Sequence, residues 1–296
     1  METSANNKSA AIIMMLVAVA FLTVMSMLVK LVDLKYHPAQ ISFIRNLIAT
    51  AVILPFLIRA GGTRILKTRR YGKHVIRAII GITGNILYFY CFQRMPIGEV
   101  VIISQAVPLF VTIMAILFLG EQVGWRRWSA ILVGFLGVIV AIDPTITIQP
   151  TSLVAVLATL CWASTILLMR SLGKTENPYT VAFYFMMIGS LITGLVQPWV
   201  WEPLTQDMLV LMLGAGISGA LGQMLMSYSL KLAEASVVSP FSYTGILWAI
   251  GFDLVIWDVL PNIANLIGAV IITLAGIYLF RRERAFKKTP PIEPVI

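Results

Sequence analysis

The chain has 296 residues, of which 59% are hydrophobic and only 12% are charged, and its formal net charge is +9 at pH 7. A water-soluble domain of this length needs more polar surface than this composition supplies, so the composition excludes a soluble fold and indicates a membrane protein. The apolar runs are about 20 residues long rather than 10-residue alternations, which selects transmembrane α-helices over a β-barrel.

Ten apolar segments predict an all-α, polytopic transmembrane helical bundle. A short polar N-terminus precedes the first run, which at about 22 residues is too long for a signal-peptide core, so we interpret it as a retained first span. The first five predicted spans are Ala11–Val32, Pro38–Ile58, Val75–Gln93, Ile97–Leu119 and Trp125–Ile142. The last five are Thr151–Leu172, Tyr179–Trp199, Met208–Leu230, Ala235–Trp257 and Pro261–Phe280.

The positive charges sort to one side of the membrane. With the N-terminus in the cytoplasm, 18 Lys and Arg residues fall in cytoplasmic segments, and Lys30, Lys35 and Arg94 fall on the other side. This split predicts a cytoplasmic (inner) membrane protein with both termini in the cytoplasm. The basic residues are expected to contact anionic lipid headgroups rather than nucleic acid. Lys30 and Arg170, at matching span ends, are interpreted as headgroup anchors.

The two halves of the chain resemble each other. The matching pairs are His37-Pro38 with Asn177-Pro178 and Phe43 with Phe183 at an offset of 140, Gly81, Gly84 and Glu99 with Gly216, Gly219 and Glu234 at 135, and Gly120-Glu121 with Trp257-Asp258 at 137. Each half has five spans, so the second copy enters the membrane from the opposite side, which is the inverted repeat of many secondary transporters. The predicted organisation is an N-terminal segment at 1–10, a first five-span repeat at 11–143, a second at 151–280 and a basic, proline-containing tail at 281–296.

Two stretches of the chain resemble the EamA-type members of the drug/metabolite transporter superfamily. RNLIATAVILPF at Arg45–Phe56 is similar to that family's second span, and MPIGEVVIISQAVPLFVTIMAILFLGEQVGWRRWSAILVGFLGVIVAI at Met95–Ile142 is similar to its fourth and fifth spans. The features shared with the family are Arg45, Pro108, Gly120-Glu121, Gly134 and Gly137. The second half departs from the pattern, because Asp258 replaces the terminal glutamate and Pro240 lies about three residues before the counterpart of Pro108.

This resemblance covers nearly the whole chain. It implies two five-helix bundles around a central cavity lined mainly by spans 1, 3, 4, 6, 8 and 9. It also implies export or exchange of metabolites such as amino acids or nucleotide-like compounds. It does not name the substrate.

Spans 3 and 8 carry the glycines and the candidate cavity face. Asn85, Tyr88 and Phe92 share one face of span 3 with Gly81, and the matched positions on span 8 include Gln223 and Ser227. Amides supply donors and acceptors without burying a charge, which suits an amphipathic or aromatic solute. Packing between helices through small residues is the alternative interpretation of this face. The candidate set is completed by Gln105, Trp162 and Tyr243 on neighbouring spans.

Pro108 and Pro240 are predicted bend points for gating, because proline frees a backbone carbonyl that protein, water or solute must then satisfy. Arg45 and Asp253 lie inside predicted spans, where an unpaired charge costs several kcal/mol. Both are candidates for an internal ion pair or for coupling transport to an ion. Asp253 is the better candidate for a protonatable coupling group.

The predicted function is secondary transport of a small amino-acid-like, amphipathic or aromatic metabolite by alternating access, with efflux or exchange favoured. The alternatives are an uptake permease of the same fold and a non-transporting membrane scaffold or sensor. An enzyme is disfavoured, because His37 and His74 are the only histidines and no cluster has metal-ligand or catalytic spacing. Cys91 and Cys161 lie in separate apolar runs and predict neither a disulfide nor a metal site. No cofactor is predicted, and the oligomeric state is left open.

Overall fold

The computed structural model describes residues 2–119, 125–142, 149–173, 175–233 and 238–287. Regular structure in these residues is helical throughout. The helices are α1 (Glu2–Leu31), α2 (Pro38–Arg59), α3 (Tyr71–Arg94), α4 (Ile97–Ser104), α5 (Val107–Leu119), α6 (Trp125–Ile142), α7 (Pro150–Leu172), α8 (Pro178–Val200), α9 (Gln206–Leu232), α10 (Thr244–Trp257) and α11 (Ile263–Lys287). Two short 3-10 helices lie at Gly62–Leu66 and Ser239–Tyr243.

Ten apolar segments of the described chain can serve as membrane spans. Seven are helices long and apolar enough to cross a bilayer, and three are shorter: Trp128–Ile142, Phe241–Trp257 and Ile263–Leu279. Large apolar side chains such as Leu195 and Val255 are exposed on the outside of the bundle, as expected when lipid is the solvent. The predicted all-α bundle of ten spans, arranged as two inverted five-helix repeats, is confirmed.

The bundle has two ends, which we name by their residues. The basic face is the end at which α2 finishes at Arg59 and α3 begins at Tyr71, next to the basic segment between these helices. The opposite face is the end at which α1 finishes at Leu31 and α4 begins at Ile97.

The second span of each repeat, α2 or α8, begins with the same capping arrangement. The His37 Nδ1 accepts a hydrogen bond from the backbone N–H two residues along at 3.1 Å, and the Asn177 Oδ1 does the same at 3.0 Å. Pro38 and Pro178 follow in the first helical turn, where a missing N–H leaves no bond unmade. Partial desolvation, and then the charge of Arg94, lower the pKa of His37, which keeps its Nδ1 free to accept. The two caps confirm the predicted offset of 140 for this span.

The glycines of the third spans, α3 and α9, establish a different register for this part of the repeat. A Cβ placed on Gly84 would lie 3.5 Å from the Ala158 carbonyl oxygen of α7, and one on Gly222 would lie 3.1 Å from the Ala18 carbonyl oxygen of α1. Ala18 and Ala158 are 140 residues apart, which is the offset that the caps show for the second spans. Gly84 therefore corresponds to Gly222, at an offset of 138.

Gly81 and Gly219 follow the same rule. A Cβ on Gly81 would meet Thr165, and a Cβ on Gly219 would meet Met25, again 140 residues apart. The predicted offset of 135, which paired Gly81 with Gly216 and Gly84 with Gly219, is therefore wrong by three residues. Three residues are nearly one helical turn, so both registers place a glycine on almost the same face and spacing alone does not separate them. Three members of the other predicted pairs, Gly120, Glu121 and Glu234, lie outside the described residues.

Two hydrogen bonds repeat across the halves in the corrected register. The Ser229 Oγ donates to the Ala11 carbonyl oxygen at 2.7 Å, and the Cys91 Sγ donates to the Thr151 carbonyl oxygen at 3.5 Å. Cys91 and Ser229 are 138 residues apart, and Ala11 and Thr151 are 140 apart. Each bond joins the end of a third span to the start of the first span of the other repeat. The same contact therefore holds the two repeats together at both faces.

The fourth and ninth spans are both irregular near a proline. The helix of span 4 breaks at Gln105 and Ala106, two residues before Pro108. Span 9 contains the 3-10 helix Ser239–Tyr243, with Pro240 in its first turn. The predicted bends are thus present, and a role for them in gating stays a prediction.

The close helix approach at Gly222 yields a testable outcome. A Cβ there would also lie 2.8 Å from the Leu22 Cγ, so Gly222→Ala should destabilise the protein by about 1–3 kcal/mol through overpacking. We expect a lower midpoint of thermal unfolding for the variant purified in detergent.

Gly251 provides the matched control, because a Cβ there meets nothing within 4 Å. Gly251→Ala should leave the midpoint unchanged or raise it, since alanine is the better helix former by about 1 kcal/mol. Equal midpoints for Gly222→Ala and the unaltered protein would contradict the packing described.

Candidate solute cavity and the closed opposite face

A cavity of about 360 Å³ lies in the half of the bundle near the basic face. It extends from Gly173 and Asn177, which are exposed, to Met186. Met186 follows Asn177 by nine residues, which is about 13 Å along α8 at the rise of an α-helix. Its walls come mainly from α8 and α9, with one residue each from α2, α3 and α7 and with Gly173 and Asn177 from the segment between α7 and α8. A cavity of this size suits a small molecule.

The wall of the cavity combines polar groups with adaptable apolar ones. Its polar side chains include Gln223 and Ser227, and the Gln223 amide makes no hydrogen bond to a described residue. The Ser227 hydroxyl donates to the Gln223 carbonyl oxygen at 2.8 Å and keeps its lone pairs free to accept. The methionines in the wall are Met169, Met186 and Met224. Their flexible thioether chains can fit solutes of different shapes.

Arg77 reaches the cavity from α3 and is 5% exposed. Its Nη1 donates to the Val181 carbonyl oxygen at 3.0 Å, and its Nη2 lies 3.5 Å from the Met169 Sδ. The guanidinium carbon stands 4.5 Å from the centre of the Phe185 ring. The Nε is buried and has no hydrogen-bond partner among the described residues. Among the described residues, no carboxylate lies within ion-pair distance of Arg77.

Arg77 is one of the 18 Lys and Arg residues that charge sorting along the sequence assigns to the cytoplasmic segments, and its place in the cavity was not predicted. The helix begins at Tyr71, four residues before the predicted start at Val75, so Arg77 lies six residues into α3. Arg77 also precedes Gly81 by four residues, which places both on one side of the helix. That spacing is the signal that could have identified it.

Asp253 closes the opposite face by joining three helices. Its side chain, on α10, is almost fully buried and accepts a hydrogen bond from the Lys30 Nζ of α1 at 3.1 Å. The same carboxylate accepts the backbone N–H groups of Ile97 at 3.1 Å and Gly98 at 2.6 Å. These two N–H groups open α4, where a helix N-terminus favours negative charge. The carboxylate thus joins α10 of the second repeat to α1 and α4 of the first.

The sequence suggested that Lys30 is a headgroup anchor, and the structure shows that it is not. It forms the ion pair with Asp253, and its Nζ also lies 4.5 Å from the centre of the Trp257 ring. The prediction was wrong because the partner lies 223 residues away along the chain, where local patterning gives no sign of it. The candidate internal ion pair at Asp253 is present, and a coupling role for Asp253 stays a prediction.

Several positions that line the cavity are more exposed than their counterparts in the first repeat. Met169, Ala182 and Ser227 are partly exposed, whereas the matching residues Val29, Ser42 and Phe89 are buried. Phe185 and its counterpart Arg45 are both buried. Accordingly, α1 packs against α3, whereas the matching helices α7 and α9 make almost no contact across the cavity. The two repeats share one fold but adopt different conformations, open at the basic face and closed at the opposite face.

Only part of the predicted solute face lines this cavity. Gln223 and Ser227 do so, whereas Tyr88 and Phe92 are buried between α3 and α7. The Tyr88 hydroxyl donates to the Thr159 Oγ1 at 3.0 Å, and its ring stacks on that of Phe92 with the centroids 6.0 Å apart. Solute contact by these aromatic residues stays a prediction.

The remaining predicted residues lie elsewhere in the core. Asn85 corresponds to Gln223 in the corrected register and is partly buried on α3, and Trp162 is partly buried against the same core. Gln105 lies at the break in span 4. Tyr243 packs closely against Gly276 of α11, and its hydroxyl has no hydrogen-bond partner in the described part of the chain. Solute contact by these four residues stays a prediction.

Arg45 is buried at 2% exposure, but its surroundings differ from those of Arg77. Its Nη1 donates to the Asn46 Oδ1 at 2.9 Å, and its guanidinium packs on Gly219 of α9. No ion pair involving Arg45 is found in the described part of the chain. Its partner is an amide oxygen, which satisfies the charge in part.

Comparison with known proteins points to one family. A model of the EamA-like transporter family matches residues 9–142 and again residues 149–282. A solved crystal structure superposes with a TM-score of 0.64 over 95% of this chain and 99% of that chain, at 15% sequence identity, which shows a shared fold.

Three relatives with named activities align over most of their length. A riboflavin transporter of Vibrio cholerae is 29% identical over 82% of this chain and 83% of its own. An S-adenosylmethionine uptake transporter of Rickettsia bellii is 26% identical over 86% of this chain and 88% of its own. A pseudopaline exporter of Pseudomonas aeruginosa is 26% identical over 94% of this chain and 98% of its own.

The buried ion pair predicts an asymmetric pattern of stability losses. Asp253→Ala leaves Lys30 unpaired and two helix N–H groups without their acceptor, so we expect a loss of about 3–5 kcal/mol. Lys30→Met should cost less, because the Asp253 carboxylate keeps the bonds from Ile97 and Gly98. The double variant should lose less than the sum of the two, as thermal unfolding in detergent will measure.

Lys35→Met serves as the control for this cycle. Lys35 is exposed and lies over the Tyr36 ring without an ion pair in the described chain, so its loss should shift the unfolding midpoint little. Strictly additive losses for Lys30→Met and Asp253→Ala would contradict a coupled pair.

Proposed function

The chain belongs to the EamA-like transporter family and is a membrane transporter, and from that premise we propose that it moves a small metabolite by alternating access. The observation that carries the proposal is the difference between matched helices of the two repeats. The second repeat opens a cavity at the basic face, where Met169, Ala182 and Ser227 are partly exposed, and the corresponding residues Val29, Ser42 and Phe89 of the first repeat are buried. Exchanging the two conformations would close the cavity and open its counterpart, which is the expected cycle of an inverted repeat.

The ion pair between Lys30 and Asp253 would act as the gate of the opposite face in this cycle. It joins α1, α4 and α10 across the two repeats, so opening that face requires these contacts to separate. On the open side, the polar and methionine side chains of the cavity are suited to an amphipathic or aromatic metabolite.

We assign the basic face to the cytoplasm, with both termini there, because most Lys and Arg residues outside the spans lie on that side. The cavity then faces the cytoplasm, which fits efflux or exchange. The second candidate is uptake with the same fold, favoured by the relatives named as S-adenosylmethionine uptake transporters.

Flux through purified protein in liposomes tests the transport proposal. Labelled riboflavin, S-adenosylmethionine and tryptophan serve as the solute panel. For the solutes that are carried, Gln223→Ala and Ser227→Ala should each lower the initial rate by about threefold to tenfold, the worth of one hydrogen bond.

Thr83→Ala is the control for these variants, because Thr83 is exposed and its hydroxyl bonds only to the Ile79 carbonyl oxygen of its own helix. The rate should stay near that of the unaltered protein. Uptake of the whole panel no faster than into protein-free liposomes would count against transport of these solutes.

Labelling of introduced cysteines tests alternating access separately from flux. Ser227→Cys, in the open cavity, should react with a membrane-impermeant maleimide applied from the basic face. Ser42→Cys should be protected, because Ser42 is buried at the position matching the cavity residue Ala182. Adding Asp253→Ala to the Ser42→Cys variant should expose its introduced thiol to reagent from the opposite face, and adding Lys35→Met should not. Protection of that thiol in both double variants would show that the ion pair is not a gate.

A further inference from the structure

Arg77 places a positive charge in the cavity wall, and no negative partner for it lies among the residues that the structure describes. It is almost fully buried within the span of α3, where an unpaired charge is strongly unfavourable. No acidic side chain is among the described residues that line the cavity. The nearby Glu176 carboxylate accepts a hydrogen bond from the Thr68 hydroxyl at 2.8 Å and does not form an ion pair with Arg77.

The contacts of Arg77 leave part of its guanidinium available. Of its five N–H donors, one is taken by the Val181 carbonyl oxygen and one points to the Met169 sulfur, which is a weak acceptor. The Nε donor is buried without a partner. The Phe185 ring, 4.5 Å from the guanidinium carbon, supports the group from one side and can hold it in a fixed orientation.

Two other cationic side chains near this end of α3 are already engaged. The Lys73 Nζ donates to the Ser171 Oγ at 2.8 Å, and the Arg70 Nη1 lies 3.4 Å from the carbonyl oxygen of the same residue. Neither of them lines the cavity. Among the described residues that line the cavity, Arg77 is therefore the charged group that a solute meets directly.

Arg45 and Arg77 have different surroundings: Arg77 lines the cavity, and Arg45 packs between helices. Both are buried and both have an unpaired Nε. Arg45 donates to the Asn46 amide oxygen and does not line the cavity, whereas Arg77 does. The position that matches Arg77 in the second repeat is Ala215, so this charge is not a shared packing requirement of the repeat.

We propose that the transported solute carries an anionic group, a carboxylate or a phosphate, which binds the Arg77 guanidinium in the cavity. A planar guanidinium matches two oxygens of such a group with parallel hydrogen bonds. The apolar part of the solute then lies against Phe185, Met169 and Met186, and its polar groups face Gln223. The inference rests on the proposed transport function and specifies the chemical class of the substrate.

The charge selectivity of the cavity can be measured at a single introduced thiol. Ser227→Cys is placed in a background of Cys91→Ser and Cys161→Ala, and a serine hydroxyl at position 91 reproduces the hydrogen-bonding group found at Ser229. Two reagents of similar size probe the thiol introduced at position 227: anionic 2-sulfonatoethyl methanethiosulfonate and cationic 2-(trimethylammonio)ethyl methanethiosulfonate. Each rate is divided by the rate of the same reagent with 2-mercaptoethanol, which removes their intrinsic difference in reactivity.

With Arg77 present, the normalised rate should be higher for the anionic reagent. Arg77→Gln should lower the ratio of anionic to cationic rates by about tenfold, as expected for loss of one unit charge close to the thiol in a partly desolvated site. Arg77→Lys should keep the preference, and the control Arg45→Gln should leave it unchanged. Elution of each variant as a single symmetric species in size-exclusion chromatography checks that it is folded.

Equal or cation-favouring rates in the protein that retains Arg77 would overturn the proposal, whether or not Arg77→Gln folds. A preference that survives Arg77→Gln would also overturn it. The measurement needs no transport, so failure of flux with an intact anion preference would contradict the transport proposal alone. Flux of solutes without any anion preference would contradict the substrate class alone.

Discussion

The closed state of the bundle depends on how Asp253 is held. In a low-dielectric interior a carboxylate is stable only where donors replace the lost water, and Asp253 has three of them, from Lys30, Ile97 and Gly98. Two of these donors are the backbone N–H groups that begin α4, which would themselves be unsatisfied without an acceptor. The interaction therefore satisfies both partners at once. These contacts can separate only if water or other groups reach the carboxylate and all three donors. This favours two discrete conformations of the bundle, one with the contacts formed and one with them broken.

The contacts between the two repeats limit which helices can move relative to each other. The glycines of α3 and α9 let the third span of each repeat pack closely on the first span of the other, and the bonds from Cys91 and Ser229 repeat this contact at both faces. Both pairs remain in place although the cavity is open on one side only. Movement between states is thus expected within each repeat, between α1 and α3 or between α7 and α9, and not at the contacts shared by both halves.

The sequence predicted the architecture because lipid imposes simple rules on composition. Two kinds of feature are local: the ten apolar runs, and the side-chain cap followed by proline at His37-Pro38 and Asn177-Pro178. Neither depends on contacts with distant parts of the chain. The register of the third spans was mispredicted because a shift of three residues nearly preserves the helix face. Gln223 and Ser227 were identified from a shared helix face, although the partner face assigned to them was displaced by that same shift.

The charged groups show why the rest of the site could not be predicted. Lys30 and Asp253 meet only after ten spans have packed, and nothing near either residue in the sequence specifies the other. Arg77 lies close to a run of basic residues, so charge counting assigned it to the surface even though α3 had already begun. For such residues, burial is decided by where the helix starts and by neighbours from other spans, and both are tertiary properties.

The correspondence of Arg45 with Phe185 has a consequence for the other half of the cycle. Phe185 supports the guanidinium of Arg77 in the open cavity, and Arg45 occupies the equivalent place in the closed repeat. In that place Arg45 is held by the Asn46 amide oxygen and by Gly219, and the counterpart of Arg77 is Ala215. If the repeats exchange conformations, the second chamber would therefore differ chemically from the first, and a solute would be held more tightly on one side of the bilayer than on the other.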